Sequence, residues 1–319
     1  MTTYKETHGI NIKVLSSDPP APFAGQIWYN STSNTLKGFL ISLGTWATGG
    51  ALNTGRQSGE SAIQGTNTAA LMFGGQIAGA PYAALASTES YNGSAWTNQP
   101  SLGTARYSFT GMGVSTSALA AGRGAGDKQV ESYNGSWTAA TSLNTDRNNA
   151  AGSGASNTSA LMIGGNPGSK SQVESWNGSW TILSPTLNTG RDELGGVGTQ
   201  TAALAIGGDA SNKRMTESWN GSTWTNVNDL ITGSRKNASG GSSTSAIDVG
   251  TAESPFVTGV SQSWNGSSWS SVGSLNTARS QAAGSGSSSN NSLVFGGNSA
   301  GDTLTEEFSS GPATVTFAS

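Results

Sequence analysis

Arginine recurs in this chain at a fixed place. Arg56, Arg106, Arg147, Arg191, Arg235 and Arg279 each close a phrase of the Leu-Asn-Thr-Xaa-Arg type, the Arg235 copy being one residue longer. Their separations are 50, 41, 44, 44 and 44 residues. Glutamate keeps the same step at Glu89, Glu131, Glu174, Glu217 and Glu306, and Gln262 stands in the remaining unit. Forked guanidinium donors match carboxylates and phosphates, so a ring of arginines can hold an anion or an acidic glycan. A carboxylate with the same period points elsewhere. Arg–carboxylate pairs joining strands or blades are what a repeat scaffold keeps for its geometry, and these residues are assigned to structure.

Other chemistry is scarce. His8 is the single histidine and cysteine is absent, which excludes a Ser-His-Asp arrangement within the repeats and His or Cys metal sites. A carboxylate pair for glycoside hydrolysis would have to come from acids outside the repeat. These are Glu60, Asp127, Asp146, Asp192, Glu193, Asp229, Asp248, Glu253 and Asp302, and none forms a local pair. The expectation is a protein that is not an enzyme, with no catalytic residue, no metal and no cofactor. Aromatic pairs such as Trp176 and Trp180 have the make-up of a sugar-stacking shelf. They return in nearly every unit, as packing between repeats would.

The elements that carry these residues follow from the repeat. Val173-Glu174-Ser175-Trp176-Asn177-Gly178-Ser179-Trp180 has counterparts at 89–96, 131–137, 217–224 and 262–269. Asn-Gly between aromatic runs signals a hairpin, and a type I′ turn would place both central residues at positive φ. Before each hairpin lies a small-residue run such as Ala150-Ala151-Gly152-Ser153-Gly154, then an apolar strand such as Leu161-Met162-Ile163-Gly164-Gly165. That makes four strands per unit in six units, at about 52–96, 102–137, 143–180, 187–224, 230–269 and 275–308. Four strands at this period are the signature of propeller blades. The expected fold is all-β, a six-bladed propeller. After Phe308 no Asn-Gly and no second Trp follow, so the last unit's missing strand is expected from segment 26–46, through Trp46, which would close the ring. Seven blades, the extra one built from the 26–46 hairpin and the C-terminus, is the alternative.

The domain reading is an extended N-terminal arm at 1–25, marked by Pro19, Pro20 and Pro22, followed by a propeller at 26–319. A net charge of −3 leaves no basic excess for nucleic acid. No apolar run is long enough for a membrane span, and the start lacks the apolar core of a signal peptide. Ten Trp and eight Phe carry too much apolar surface for a disordered chain. Loops after the Gly-Gly strands break the repeat and should share one face. Tyr82, Arg123, Lys128, Lys170, Lys213 and Arg214 lie there as candidate binding-face residues. The Asn-Gly-Ser triplets also read as N-glycosylation acceptors, and turn chemistry accounts for them without that.

Arg, an apolar strand into Gly-Gly, an aromatic and then Trp together resemble the kelch-type β-propeller, over about residues 46–308. The aromatic-to-Trp spacing is tighter than in that family. The hairpin also resembles the Asp-box turn of sialidase-type propellers, one residue short. Gly25-Gln26-Ile27-Trp28-Tyr29-Asn30-Ser31-Thr32-Ser33-Asn34-Thr35-Leu36-Lys37, ending in Gly44-Thr45-Trp46, resembles a short module of tailed-phage virion proteins such as fibres and appendages. That resemblance implies a structural or adhesive part on the surface of a phage particle. Its partners would be other virion proteins through the arm, with a host-surface glycan or receptor and further copies of itself as additional partners. A glycan-binding host-recognition module is the alternative, and a polysaccharide-degrading propeller a lesser one.

Overall fold

A computed structural model of the chain describes residues 12–23, 25–41, 43–77, 82–123, 127–209, 211, 213–235, 237–253, 256–298 and 303–317. No helix occurs among them, and the strands form seven four-stranded sheets, a propeller-like arrangement. The chain divides into two compact units, Thr45–Ser309 and Met1–Gly44 with Ser310–Ser319. Six sheets belong to the larger unit and are numbered here in chain order. The count is seven, not six, and the extra sheet draws on the 26–46 hairpin and the C-terminal Pro312–Thr316, as in the seven-blade alternative.

In the larger unit each sheet is an antiparallel meander. The third runs Ala151–Ser156, Ser159–Ile163, Val173–Trp176 and Trp180–Ile182. The first strands of successive sheets adjoin in order, and Ala283–Ser288 of the sixth adjoins Glu60–Ser61 of the first. The sixth sheet takes its fourth strand from Thr45–Thr48, in register Phe308 with Trp46. Segment 26–46 is therefore split. Only Thr45–Thr48 joins the repeat sheets, whereas Ile27–Asn30 and Thr35–Ile41 pair with each other in the other unit.

The hairpins differ in detail from a type I′ turn. Tyr91 pairs with Trp96 and Trp176 with Trp180, so the loops hold four or three residues instead of two. Only the glycines, such as Gly93 (φ 94°) and Gly178 (φ 105°), enter the left-handed region. Asparagine works through its side chain. Asn220 Oδ1 accepts the Ser222 and Thr223 backbone N–H groups at 3.0 and 2.9 Å, an Asx turn that holds the loop closed.

The smaller unit contains one sheet, ordered Lys13–Leu15, Ile27–Asn30, Thr35–Ile41 and Pro312–Thr316. The expected 1–25 arm and the 25/26 boundary give way here among the described residues, residues 1–11 and 24 lying outside them. Lys13–Leu15 pairs in parallel with Trp28–Asn30, and the unit boundary falls at Gly44. Asp18 explains why the proline stretch is held. Its carboxylate accepts Lys37 Nζ at 2.8 Å, Asn30 Nδ2 at 2.8 Å and Trp28 Nε1 at 3.1 Å. The Lys37 and Asn30 bonds pull its pKa down to about 2. His8 lies outside the described residues.

The larger unit buries its apolar residues between sheets. Each of six clusters joins two neighbouring sheets: Met112, Leu119, Met162, Trp176 and Trp180 fill the space between the second and third. Large rings sit on the third and fourth strands, and small residues sit on the first strands where these crowd together. A Cβ added to Gly152 would come 2.2 Å from the Gly111 carbonyl oxygen, and one on Gly196 would come 2.4 Å from the Gly152 oxygen. Neither can be relieved by rotating a side chain, because the obstacle is backbone. Gly152→Ala is therefore expected to destabilise the unit by about 1–3 kcal/mol or more, read from denaturant unfolding, through forced separation of neighbouring first strands.

Candidate functional site

The repeated Arg–Glu pairs are buried inside five of the six repeat units. Arg147 donates from Nη2 to Glu174 Oε1 at 2.7 Å and from Nη1 to the Gly164 and Gln172 carbonyls at 3.2 and 3.0 Å. Glu174 in turn accepts the Asn144 and Thr145 backbone N–H groups at 2.9 and 3.1 Å. The Leu-Asn-Thr-Xaa-Arg phrase is thus a loop whose two amides and one guanidinium wrap the carboxylate of the third strand. Arg56 with Glu89, Arg106 with Glu131, Arg191 with Glu217 and Arg279 with Glu306 repeat the pair, with every guanidinium fully shielded from solvent. Such groups have no face left for an anion.

Arg235 departs from the expected set. Gly208 N–H donates to the Ser234 carbonyl at 2.8 Å, as Gly75 does to Arg106 and Gly165 to Arg191. Ser234, not Arg235, therefore holds the arginine place, and its Oγ donates to the Gly250 carbonyl at 3.2 Å. Leu230 to Ser234 match Leu143 to Arg147 position for position, so Arg235 is the residue after the arginine place, where it meets Glu193 at 3.4 Å and Asp209 at 3.0 Å. The partner position changes with it. Gln262 Oε1 accepts the Ile231 and Thr232 amides at 2.8 and 3.0 Å, keeping the loop contact with no charge to neutralise. A glutamate there would be a buried anion without its cation, which is costly.

A second cluster lines the axis between the first strands. Ser58, Glu60, Ser108, Asn149, Glu193, Asn237 and Gln281 surround a cavity of about 110 Å³, and a second of about 70 Å³ shares Glu60 and Asn237. The rim is held by backbone. Ser58, Ser108, Asn149, Glu193 and Gln281 are all left-handed, with φ between 47° and 55°. Ser58 N–H bonds to the Gln281 carbonyl, Ser108 to Ser58, Asn149 to Ser108 and Glu193 to Asn149, one link per neighbouring sheet.

Glu60 breaks a run of Thr, Ala and Gly at its place in the first strands, and burial raises its pKa to about 8 against a weaker opposing bond from Gly111 N–H. Asp248, paired in register with Gln262 where other sheets carry Met, Ala or Val, is likewise pushed up to about 7 by burial. Asn237 and Ser239 donate to it, and together with the nearby Ser234 hydroxyl they oppose that rise. Sequence reasoning named both acids without bringing them near one cavity; the usable signal was a charge inside an otherwise small or apolar strand. Among the described residues no group of three or more His, Cys, Asp or Glu side chains is placed to hold a metal.

The remaining candidates are dispersed. Tyr82 is more than half exposed. Arg123 pairs with Asp127 at 3.5 Å, Lys128 donates to the Asn144 carbonyl at 2.7 Å, and Arg214 Nε donates to the Leu230 carbonyl at 2.6 Å. Lys170 and Lys213 accept at their backbone carbonyls from Arg191 and Ser234. Arg123, Lys128 and Arg214 are thus held by nearby acceptors of the loops themselves. Residues 78–81, 124–126, 210 and 212 of these loops, with Asp302 and the side chain of Glu253, lie outside what is described. The aromatic pairs are joints between sheets, with Trp176 and Trp180 centroids 5.1 Å apart and both rings buried.

A solved structure entitled "Structure of YjhT" is similar to this chain, with a TM-score of 0.64 over 82% of this chain and 99% of that one, at 14% identity. At that identity the likeness concerns the fold alone. No family model matches the chain, and no curated protein matches it.

Two measurements test this account. Arg147→Ser is expected to cost about 3–5 kcal/mol by stranding a buried carboxylate. Adding Glu174→Gln, which rebuilds the Ser234–Gln262 arrangement, should recover more than about 1 kcal/mol relative to additivity. For Glu60 and Asp248 the folded pKa lies above the unfolded one, so the unfolded chain releases its proton first as pH rises. Stability should therefore fall between about pH 4 and about pH 8, and the pair Glu60→Gln with Asp248→Asn should flatten that slope in denaturant titrations.

Proposed function

We propose that this chain is a non-enzymatic structural and adhesive protein of a phage particle. In this reading the sheets of the larger unit are blades of a kelch-like propeller, and Thr45–Thr48 completes the sixth sheet. The adjoining first strands, with the sixth sheet beside the first, support a closed ring. The smaller unit attaches the protein to other virion components, and loops outside the repeat make the outward contacts.

The observation that carries the reading is the gathering of Lys13–Leu15, the hairpin of Ile27–Asn30 and Thr35–Ile41, and Pro312–Thr316 into one sheet apart from the repeats. Residues 25–37, the stretch that resembles tailed-phage proteins, form the central hairpin of that unit, and Pro312–Thr316 completes its sheet. A module with its own network around Asp18, separate from the repeats, suits attachment better than catalysis. The buried Arg–Glu pairs and aromatic joints are consumed by the scaffold, which leaves the non-repeating positions for recognition.

Gradient-purified particles should contain the chain by mass spectrometry, and antibody against it should label one discrete location by electron microscopy. A chain found only in the soluble lysate would overturn the proposal. Asp18→Ala is expected to lower incorporation several-fold while leaving the thermal transition of the six-sheet unit in place.

A further inference from the structure

Neighbouring sheets are sealed near their outer hairpins by a side-chain carboxamide at two of the joints. Asn157, in the turn between the first two strands of the third sheet, donates from Nδ2 to Ser132 Oγ at 2.9 Å and to the Tyr133 carbonyl at 3.0 Å on the second sheet. Gln200 does the same from the fourth sheet to the third, reaching Ser175 Oγ at 2.7 Å and the Trp176 carbonyl at 2.6 Å. An indole from the same sheet completes each seal. Trp176 Nε1 donates to the Asn157 carbonyl at 2.8 Å, and Trp219 Nε1 to the Gln200 carbonyl at 3.0 Å.

Between the first and second sheets both parts are missing. The turn residue is Ser115, too short to reach across, and Tyr133 stands where the third and fourth sheets have Trp. Serine holds the turn place in the fifth and sixth sheets too. There Trp264 keeps its bond to the Ser243 carbonyl at 3.1 Å, and Ser289 meets Ser245 Oγ at 2.9 Å. At the first joint neither substitute is present, and a cleft of about 420 Å³ opens instead. That volume lies in the range of small-molecule sites, about 300–1,000 Å³. Tyr91, Gln99, Ser115, Thr116, Tyr133 and Asn134 line it, and no charged residue does. Gln99 Nε2 already serves Ser90 Oγ at 2.9 Å, while the Tyr133 hydroxyl has no partner among the described residues.

We propose that this cleft binds a neutral N-acetylhexosamine, its acetamido group taking the place that the Asn157 and Gln200 carboxamides fill at the next two joints. An acetamido group presents an amide N–H donor and a carbonyl acceptor in the same plane as those side chains do, with one N–H in place of two. The uncharged lining excludes a need for an anionic or cationic ligand, and hydroxyl and amide side chains beside tyrosine rings suit a pyranose. The site does not rest on the virion reading: a chain absent from particles could still bind the sugar.

Saturation-transfer NMR and calorimetry on the full chain, with N-acetylglucosamine, N-acetylgalactosamine and glucose as probes, test the proposal. Saturable binding of at least one N-acetylated sugar is expected, with glucose roughly tenfold weaker or worse. Ser115→Asn installs the carboxamide of the third sheet and should weaken that binding roughly tenfold while the thermal transition is unchanged. Should that variant fail to fold, Tyr133→Phe removes only a hydroxyl and should weaken binding roughly threefold. No saturable response to either N-acetylated sugar, equal binding of glucose, or unchanged affinity in a folded Ser115→Asn protein would each overturn it. So would binding of an asparagine-bearing peptide without any response to the sugars.

Discussion

The closeness of the first strands governs the rest of the larger unit. At Gly152 and Gly196 a neighbouring backbone carbonyl occupies the space a Cβ would need. Sheets that meet so tightly at one edge must diverge at the other, because side chains of ordinary size separate their faces. The wedge that opens is filled in order of size, from Ala and Gly through Leu and Met to the Trp and Tyr pairs. Left-handed residues at the rim add a backbone hydrogen bond from sheet to sheet, which ties the crowded edge together where no side chain could fit.

Buried charge is handled with the same economy. In four of the five guanidinium–carboxylate pairs the carboxylate accepts two amides of the loop that leads into its unit, and Glu217 accepts one, so the ion pair is also a loop anchor. The fifth unit shows that the anchor and the charge are separable. Ser234 and Gln262 keep the hydrogen bonds and discard both charges together. One change without the other would strand a buried ion, and that penalty explains why the two departures coincide.

Because the repeat spends its aromatic and charged residues on the scaffold, distinctive chemistry sits where the pattern fails. Glu60 and Asp248 place carboxyl groups at or beside the axis where other units have small or apolar residues. Ser115 with Tyr133 leaves a joint unsealed. The terminal unit, outside the repeat altogether, holds the segment on which the virion proposal rests.

Much of the architecture was legible from one chain of letters. The period of the arginines, the four short apolar stretches per unit and the Asn-Gly hairpins specify strands, and Trp46 pointed to the strand that pairs with Phe308. Those signals are local or periodic, and hydrogen bonding within a sheet follows from them directly. Other features needed the fold. Whether Arg235 or the preceding serine fills a buried place depends on which amides meet Gln262 and which backbone carbonyl meets Gly208. The Asn-Gly loops proved longer than two residues because pairing of the flanking aromatics decides the turn. That Lys13–Leu15 and Pro312–Thr316, at opposite ends of the chain, share a sheet is a non-local pairing with no period to announce it. The axial cavity and the unsealed cleft likewise arise from residues far apart in sequence. Repetition encodes the scaffold, and only tertiary packing decides which of its exceptions face one another.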